Sequence, residues 1–188
     1  MATGSDEALA ALATQIPDFA ADLRVNLGAV MASPHLTAQQ GWGTALASAI
    51  AARNPHLVDA VTRATASHLS QAALQAVWTA ASLAGMSNVY YHFTELVRKD
   101  EYRHMPARLS MRAIVASGVE RVDFELWSLA VSAINGCGAC ILAHEKHLSE
   151  RGATREAVQD AVRIAAVMHG IAIALESRRE PVTDWCID

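Results

Sequence analysis

Aromatic side chains are scarce, at 5% of 188 residues, and the whole chain holds five prolines. Strands draw heavily on aromatic and β-branched residues, so their shortage beside abundant alanine and leucine argues against a sheet and for packed helices. Positive charge is also thin. Fifteen Lys and Arg stand against nineteen Asp and Glu, the formal charge is −4 and the pI is near 6.0. No basic run appears, which argues against a nucleic-acid surface. Residues 1–7 lack a basic n-region and no cleavable apolar core follows, so the expected compartment is the cytoplasm. Three cysteines without a secretion signal do not form a disulfide scaffold, and Cys186, in the polar tail, is assigned no role.

Hydrophobic residues make up 52% of the chain, and two uncharged runs, 126–143 and 70–93, reach membrane-spanning length. Ser128, Ser132, Asn135, Gly136 and two cysteines interrupt the first, and Gln71, Gln75, Ser82 and Asn88 the second. Buried helices of a soluble oligomer fit these interruptions better than a membrane does. The length suits one well-buried domain over 1–188, with an N-terminal helical half at about 5–100 and a C-terminal half at about 107–178.

Helical periodicity starts at Asp6 with Leu9, Leu12 and Ile16 on one side, and Pro17 restarts the chain into a helix ending near Met31. Thr37 offers an N-cap for a helix through Arg53, and Asn54-Pro55 stops it and starts another to about Ser67. Ser70 caps a long helix expected to end at Gly85, with a further one from Asn88 to about Arg98. The charged stretch 99–106 reads as a connector. Later, 122–134 is helical, Gly152 suits a C′ position, and Thr154 caps a final helix whose apolar run 162–175 should be buried. Trp42, Trp78 and Trp127 read as core aromatics, and His147 and His169 as structural, with a second contact to Glu125 as the alternative for His147.

At an offset of 84, Ala47-Ser48-Ala49-Ile50 matches Val131-Ser132-Ala133-Ile134, and Ala73-Leu74-Gln75 matches Ala157-Val158-Gln159. The two halves therefore read as degenerate repeats of one helical unit. Chemistry survives in the second alone: Arg53, His56 and Ala60 stand where it has Cys137, Cys140 and His144.

That chemistry lies in the segment 131–147. Asn135-Gly136 breaks the preceding helix, placing Cys137 in the first turn of the next. Cys140 follows three residues on, near enough for a disulfide, and His144 stands four residues beyond it, on the same face. A cysteine at a helix start is favoured as the thiolate, its pKa falling from about 8.5 to roughly 3.5–7.5. If the two helices fold back antiparallel, Glu125 comes level with His144. Glu125, Ser128, Ser132 and Asn135 form a thin polar line that faces either this site or solvent. Zinc on Cys137, Cys140, His144 and His147 is disfavoured, because one helix spreads those groups over ~15 Å whereas zinc ligands converge within about 2.3 Å of one point.

Glu125, Cys137, Cys140 and His144, with 41–55 (GWGTALASAIAARNP) and 85–93 (GMSNVYYHF), closely resemble the AhpD family of alkyl hydroperoxide reductases, within the carboxymuconolactone decarboxylase-like superfamily. The resemblance implies an all-α, AhpD-like helical bundle assembled as a homotrimer, with no bound cofactor or metal. It implies reduction of the oxidised peroxiredoxin AhpC by electrons from a lipoylated dihydrolipoamide acyltransferase, itself served by dihydrolipoamide dehydrogenase, and weak direct peroxidase activity. Cys140 would engage substrate, Cys137 would be its partner, and His144 with Glu125 would relay protons. Some relatives carry histidine immediately before the second cysteine; here Ala139 stands there, which predicts weaker direct peroxidase activity. Helix-terminus electrostatics favour Cys137 as the thiolate, and the resemblance favours Cys140. The alternatives are a carboxymuconolactone decarboxylase-like enzyme that needs no cysteine pair and a non-catalytic, redox-sensing helical oligomer.

Overall fold

Caps and stops in the sequence divide the chain into helices, and no strand occurs among the described residues. The computed structural model describes residues 4–177, with side chains from Glu7 onward. The polar tail beyond 177, Cys186 included, lies outside them.

Helix α1 (Gly4–Gln15) stops before Pro17, and a 3-10 turn at Asp18–Ala20 leads into α2 (Ala21–Met31). Helix α3 (Ala38–Ala52) opens on a full capping box. Thr37 Oγ1 accepts the Gln40 N–H at 3.2 Å, while the Thr37 N–H donates to Gln40 Oε1 at 3.0 Å. Asn54 caps α4 (Pro55–Thr65), with Pro55 where no backbone N–H is needed. Ser70 caps α5 (Gln71–Val97), and the short α6 (Asp100–His104) follows. A 3-10 turn at Arg112–Ile114 precedes α7 (Arg121–Ile134), α8 (Gly138–Glu150) and α9 (Arg155–Glu176), the last capped by Thr154.

Four expectations are corrected. Helix α5 runs unbroken through Gly85, because an interior glycine costs only about 0.5–1 kcal/mol. Against that cost, buried Asn88 receives a hydrogen bond from Asn135 and donates one to Ser132, both at 2.9 Å. The stretch 99–106 is no plain connector, since it contains α6. The run 162–175 buries one face only: Ile164, Met168 and Ile171 are enclosed, whereas Val162, His169 and Ile173 face outward. Trp42 and Trp127 are buried as expected, but Trp78 is 40% exposed.

Helices α3 and α7 form the centre, each packed against the other and against α5 and α9, while α8 lies on α7 and α5. Every residue from 42 to 49 and from 123 to 132 is buried. The close approach depends on Gly43: a Cβ there would come within 2.6 Å of three atoms of the Trp127 indole. The repeat shows in the order of elements. Helices starting at 38, 55 and 71 recur at 121, 138 and 155. The caps Asn54 and Cys137 are therefore equivalent, one residue away from the alignment of Arg53 with Cys137 expected at an offset of 84.

Among the described residues, Arg155–Glu176 is long and apolar enough to cross a membrane by length and composition alone, and half of its most apolar window is buried against the bundle. Of the two runs singled out by sequence, 126–143 is split by the α7–α8 turn.

Candidate functional site: a cysteine pair at a helix start

The turn between α7 and α8 is a Schellman motif. Gly136 adopts φ 67°, its N–H donates to the Ala133 carbonyl at 3.2 Å, and the Cys137 N–H reaches back to Ser132 at 3.1 Å. This closure makes Cys137 the N-cap of α8, one position earlier than a first-turn residue. Cys137 and Cys140 form a disulfide with Cα atoms 5.3 Å apart, inside the usual span. The Cys140 N–H donates to Cys137 Sγ at 3.3 Å. Cys137 is fully enclosed, whereas Cys140 keeps 6% exposure.

The hairpin also brings Glu125 alongside α8. Glu125 is 1% exposed, and its Oε2 accepts the Nδ1–H of His144 at 2.5 Å. That bond fixes the tautomer and leaves Nε2 free to take a proton. His147 Nδ1 lies 3.4 Å from Glu125 Oε1, at ion-pair distance but without hydrogen-bond alignment. So Glu125 meets His144 and Cys137 meets Cys140, the two pairs joined by the single helical turn from Cys140 to His144. The polar line on α7 faces inward: Ser128 and Ser132 are buried, and Ser132 and Asn135 bind Asn88.

Three participants were not singled out from sequence. Arg121 grips Glu125 Oε1 with two nitrogens at 2.6 and 2.8 Å, an i,i+4 pair that was legible in the spacing. Asn88 ties α5 to the cysteine turn. Glu95, the one acidic residue in α5, accepts the Ala139 N–H at 3.1 Å. Its isolation in an apolar helix was the available signal; nothing in the sequence says which helix it meets.

The carboxymuconolactone decarboxylase family profile matches residues 100–180, which include the cysteine pair and its histidine. An alkyl hydroperoxide reductase AhpD of a Bradyrhizobium species is 52% identical over 166 residues, covering 88% of this chain and 92% of that protein. The AhpD of Solibacter usitatus is 48% identical over 171 residues, 91% of this chain and 97% of its own length. That of Frankia alni is 48% identical over 169 residues, or 90% and 91%. The chain belongs to the AhpD family.

In this AhpD family member, burial pushes the Glu125 carboxyl pKa up, but the His144 hydrogen bond and the charges of His144, Arg121 and His147 outweigh it. The result is a pKa of about 2, below the ordinary 4.5. A depressed carboxylate pKa stabilises the fold fully above its unfolded value and loses that contribution as pH falls through the folded one. The window therefore runs from about pH 4.5 down to about pH 2, and the contribution is on the order of 3 kcal/mol. Urea denaturation across that window should show the wild type losing more stability than Glu125→Gln; equal losses would contradict the assignment.

Glu125, His144 and His147 also place one donor atom each within 4.8 Å of one another, a set able to hold a metal ion. The disulfide removes both cysteines from such a set, unlike the zinc arrangement considered from sequence. Arg121, already on Glu125, opposes a cation there.

Proposed function

We propose that this chain is a cytoplasmic thiol–disulfide oxidoreductase that reduces the oxidised peroxiredoxin AhpC with electrons from dihydrolipoamide, and reduces alkyl hydroperoxides weakly by itself. The observation that carries the reading is the Cys137–Cys140 pair one helical turn from His144, whose Nδ1 is held by buried Glu125. Carboxymuconolactone chemistry needs no such pair.

In the reduced state, His144 Nε2 takes the proton of Cys140, and Glu125 stabilises the imidazolium. The Cys140 thiolate attacks one sulfur of the peroxiredoxin disulfide, forming a mixed disulfide and releasing one partner thiol. Cys137 then attacks Cys140 Sγ, expelling the second partner thiol and closing the Cys137–Cys140 disulfide. Two electrons have passed to the peroxiredoxin. Dihydrolipoamide, carried by a lipoylated acyltransferase and regenerated by dihydrolipoamide dehydrogenase, returns two electrons and leaves as its cyclic disulfide.

A homotrimer agrees with the exposed apolar side chains of α5 and α8, the helices that meet at the cysteine turn: Val89, Phe93, Leu96 and Leu142 are all about half exposed or more.

The deciding assay couples dihydrolipoamide oxidation to reduction of a peroxiredoxin by the purified chain. Turnover that vanishes on thiol alkylation supports the reading; no turnover with intact thiols refutes it. Cys137→Ser should accumulate a covalent adduct with the peroxiredoxin through Cys140. If only Cys140→Ser yields the adduct, the roles of the sulfurs are reversed.

A further inference from the structure

Glu95 reaches from α5 to the backbone between the two cysteines, where its Oε2 accepts the Ala139 N–H at 3.1 Å. Gly138 makes room for it: a Cβ there would lie 2.9 Å from Glu95 Oε1. The carboxylate also helps line an open groove of about 500 Å³ shared with Tyr91, Tyr102, Arg103, Ala139 and Leu142. None of the steps proposed above uses it.

Its position bears on the choice between the sulfurs. The free N–H groups of the first turn of α8 are what would stabilise a Cys137 thiolate. One of them, on Cys140, points at Cys137 Sγ, but the next, on Ala139, is taken by Glu95. The carboxylate thus occupies part of the positive helix end and adds a like charge beside any thiolate formed there. Cys140 has the opposite setting, with His144 one turn along on its own face.

We propose that Glu95 is a positioning residue that keeps Cys137 protonated in the reduced enzyme, so that Cys140 is the sulfur that ionises. The inference rests on the pair cycling through a dithiol, as in the proposed function. On the elements packed about the pair, the charged and titratable groups are Glu95, Tyr90 and Tyr91 from α5 with Tyr102 and Arg103 from α6, which share its groove, and, further along the hairpin, Arg121 and Glu125 from α7 and His144 and His147 from α8. Arg121 is committed to Glu125, and Arg103 lies 3.8 Å from Asp100. Among the described residues, Glu95 supplies the one side-chain hydrogen bond to the segment between the sulfurs.

The test uses the full chain, reduced with dithiothreitol, freed of it, and labelled with limiting iodoacetamide across a pH series. Peptide mass mapping then follows Cys137 and Cys140 separately. The wild type should label first at Cys140. In Glu95→Gln, which keeps an acceptor for the Ala139 N–H and removes the charge, the midpoint of the Cys137 labelling profile should fall by about one pH unit. That raises its thiolate fraction about tenfold and, because nucleophilicity falls with pKa, its rate relative to Cys140 by roughly threefold. Gly138→Ala changes no charge but displaces the carboxylate, and should move the ratio the same way. Free thiols whose relative rates and pH midpoints are unmoved in both variants overturn this proposal alone. A pair that never opens to free thiols overturns the oxidoreductase reading and this proposal with it.

Discussion

Glu125→Gln is expected to slow dihydrolipoamide-dependent reduction of a peroxiredoxin by about a hundredfold at neutral pH, the lower end of what a positioned acid–base group contributes. A glutamine oxygen can still accept the Nδ1–H of His144, so the imidazole keeps its orientation. What disappears is the negative charge that makes an imidazolium affordable beside a buried carboxyl site with Arg121 at 2.6 Å. With that charge gone, Arg121 repels the positive ring and proton transfer from Cys140 loses its driving force. The Michaelis constant for the peroxiredoxin should change little, because Glu125 is 1% exposed and cannot touch a docked protein. Stopped-flow rates for wild type and variant decide this. A loss below threefold, or one confined to the Michaelis constant, would remove Glu125 and His144 from the proton path.

Gly43→Ala should cost about 1–3 kcal/mol, a large effect for one methyl group. The added carbon overlaps the Trp127 ring, and Trp127 has nowhere to retreat, since it is fully enclosed and its indole N–H donates to the Gln40 carbonyl at 3.3 Å. Relief by spreading α3 from α7 would also move Glu125, which lies on the same helix. Activity should therefore fall along with stability. A double-mutant cycle isolates the clash: in a Trp127→Leu background, which creates its own cavity, adding Gly43→Ala should cost less by about 0.5–3 kcal/mol. Strictly additive costs in urea unfolding would show that the ring is not what the methyl group meets.

Legibility from sequence followed distance along the chain. The capping box at Thr37, the Asn54-Pro55 restart, the caps Ser70 and Thr154, and the αL glycine at 152 were readable because each is an interaction within a few residues. The same locality made the Cys137–Cys140–His144 spacing meaningful, and Arg121–Glu125 is a pair of that kind that was passed over. Gly85 misled for the opposite reason. Its local preference for ending a helix is outweighed by hydrogen bonds that Asn88 makes to Ser132 and Asn135, more than forty residues away.

By itself, then, the sequence determined the helical class, the helix starts, the broken hairpin at Asn135-Gly136 and the sulfur–sulfur–imidazole ladder, because backbone geometry ties neighbours at fixed spacings into fixed directions. Only the tertiary structure decided that the polar side of α7 faces inward and that Glu125 bonds His144. It alone set the Glu95 carboxylate of a distant helix on the backbone between the cysteines. Those contacts depend on which helix faces lie against each other, and that is settled by burying the shared apolar core around α3 and α7, not by any local preference.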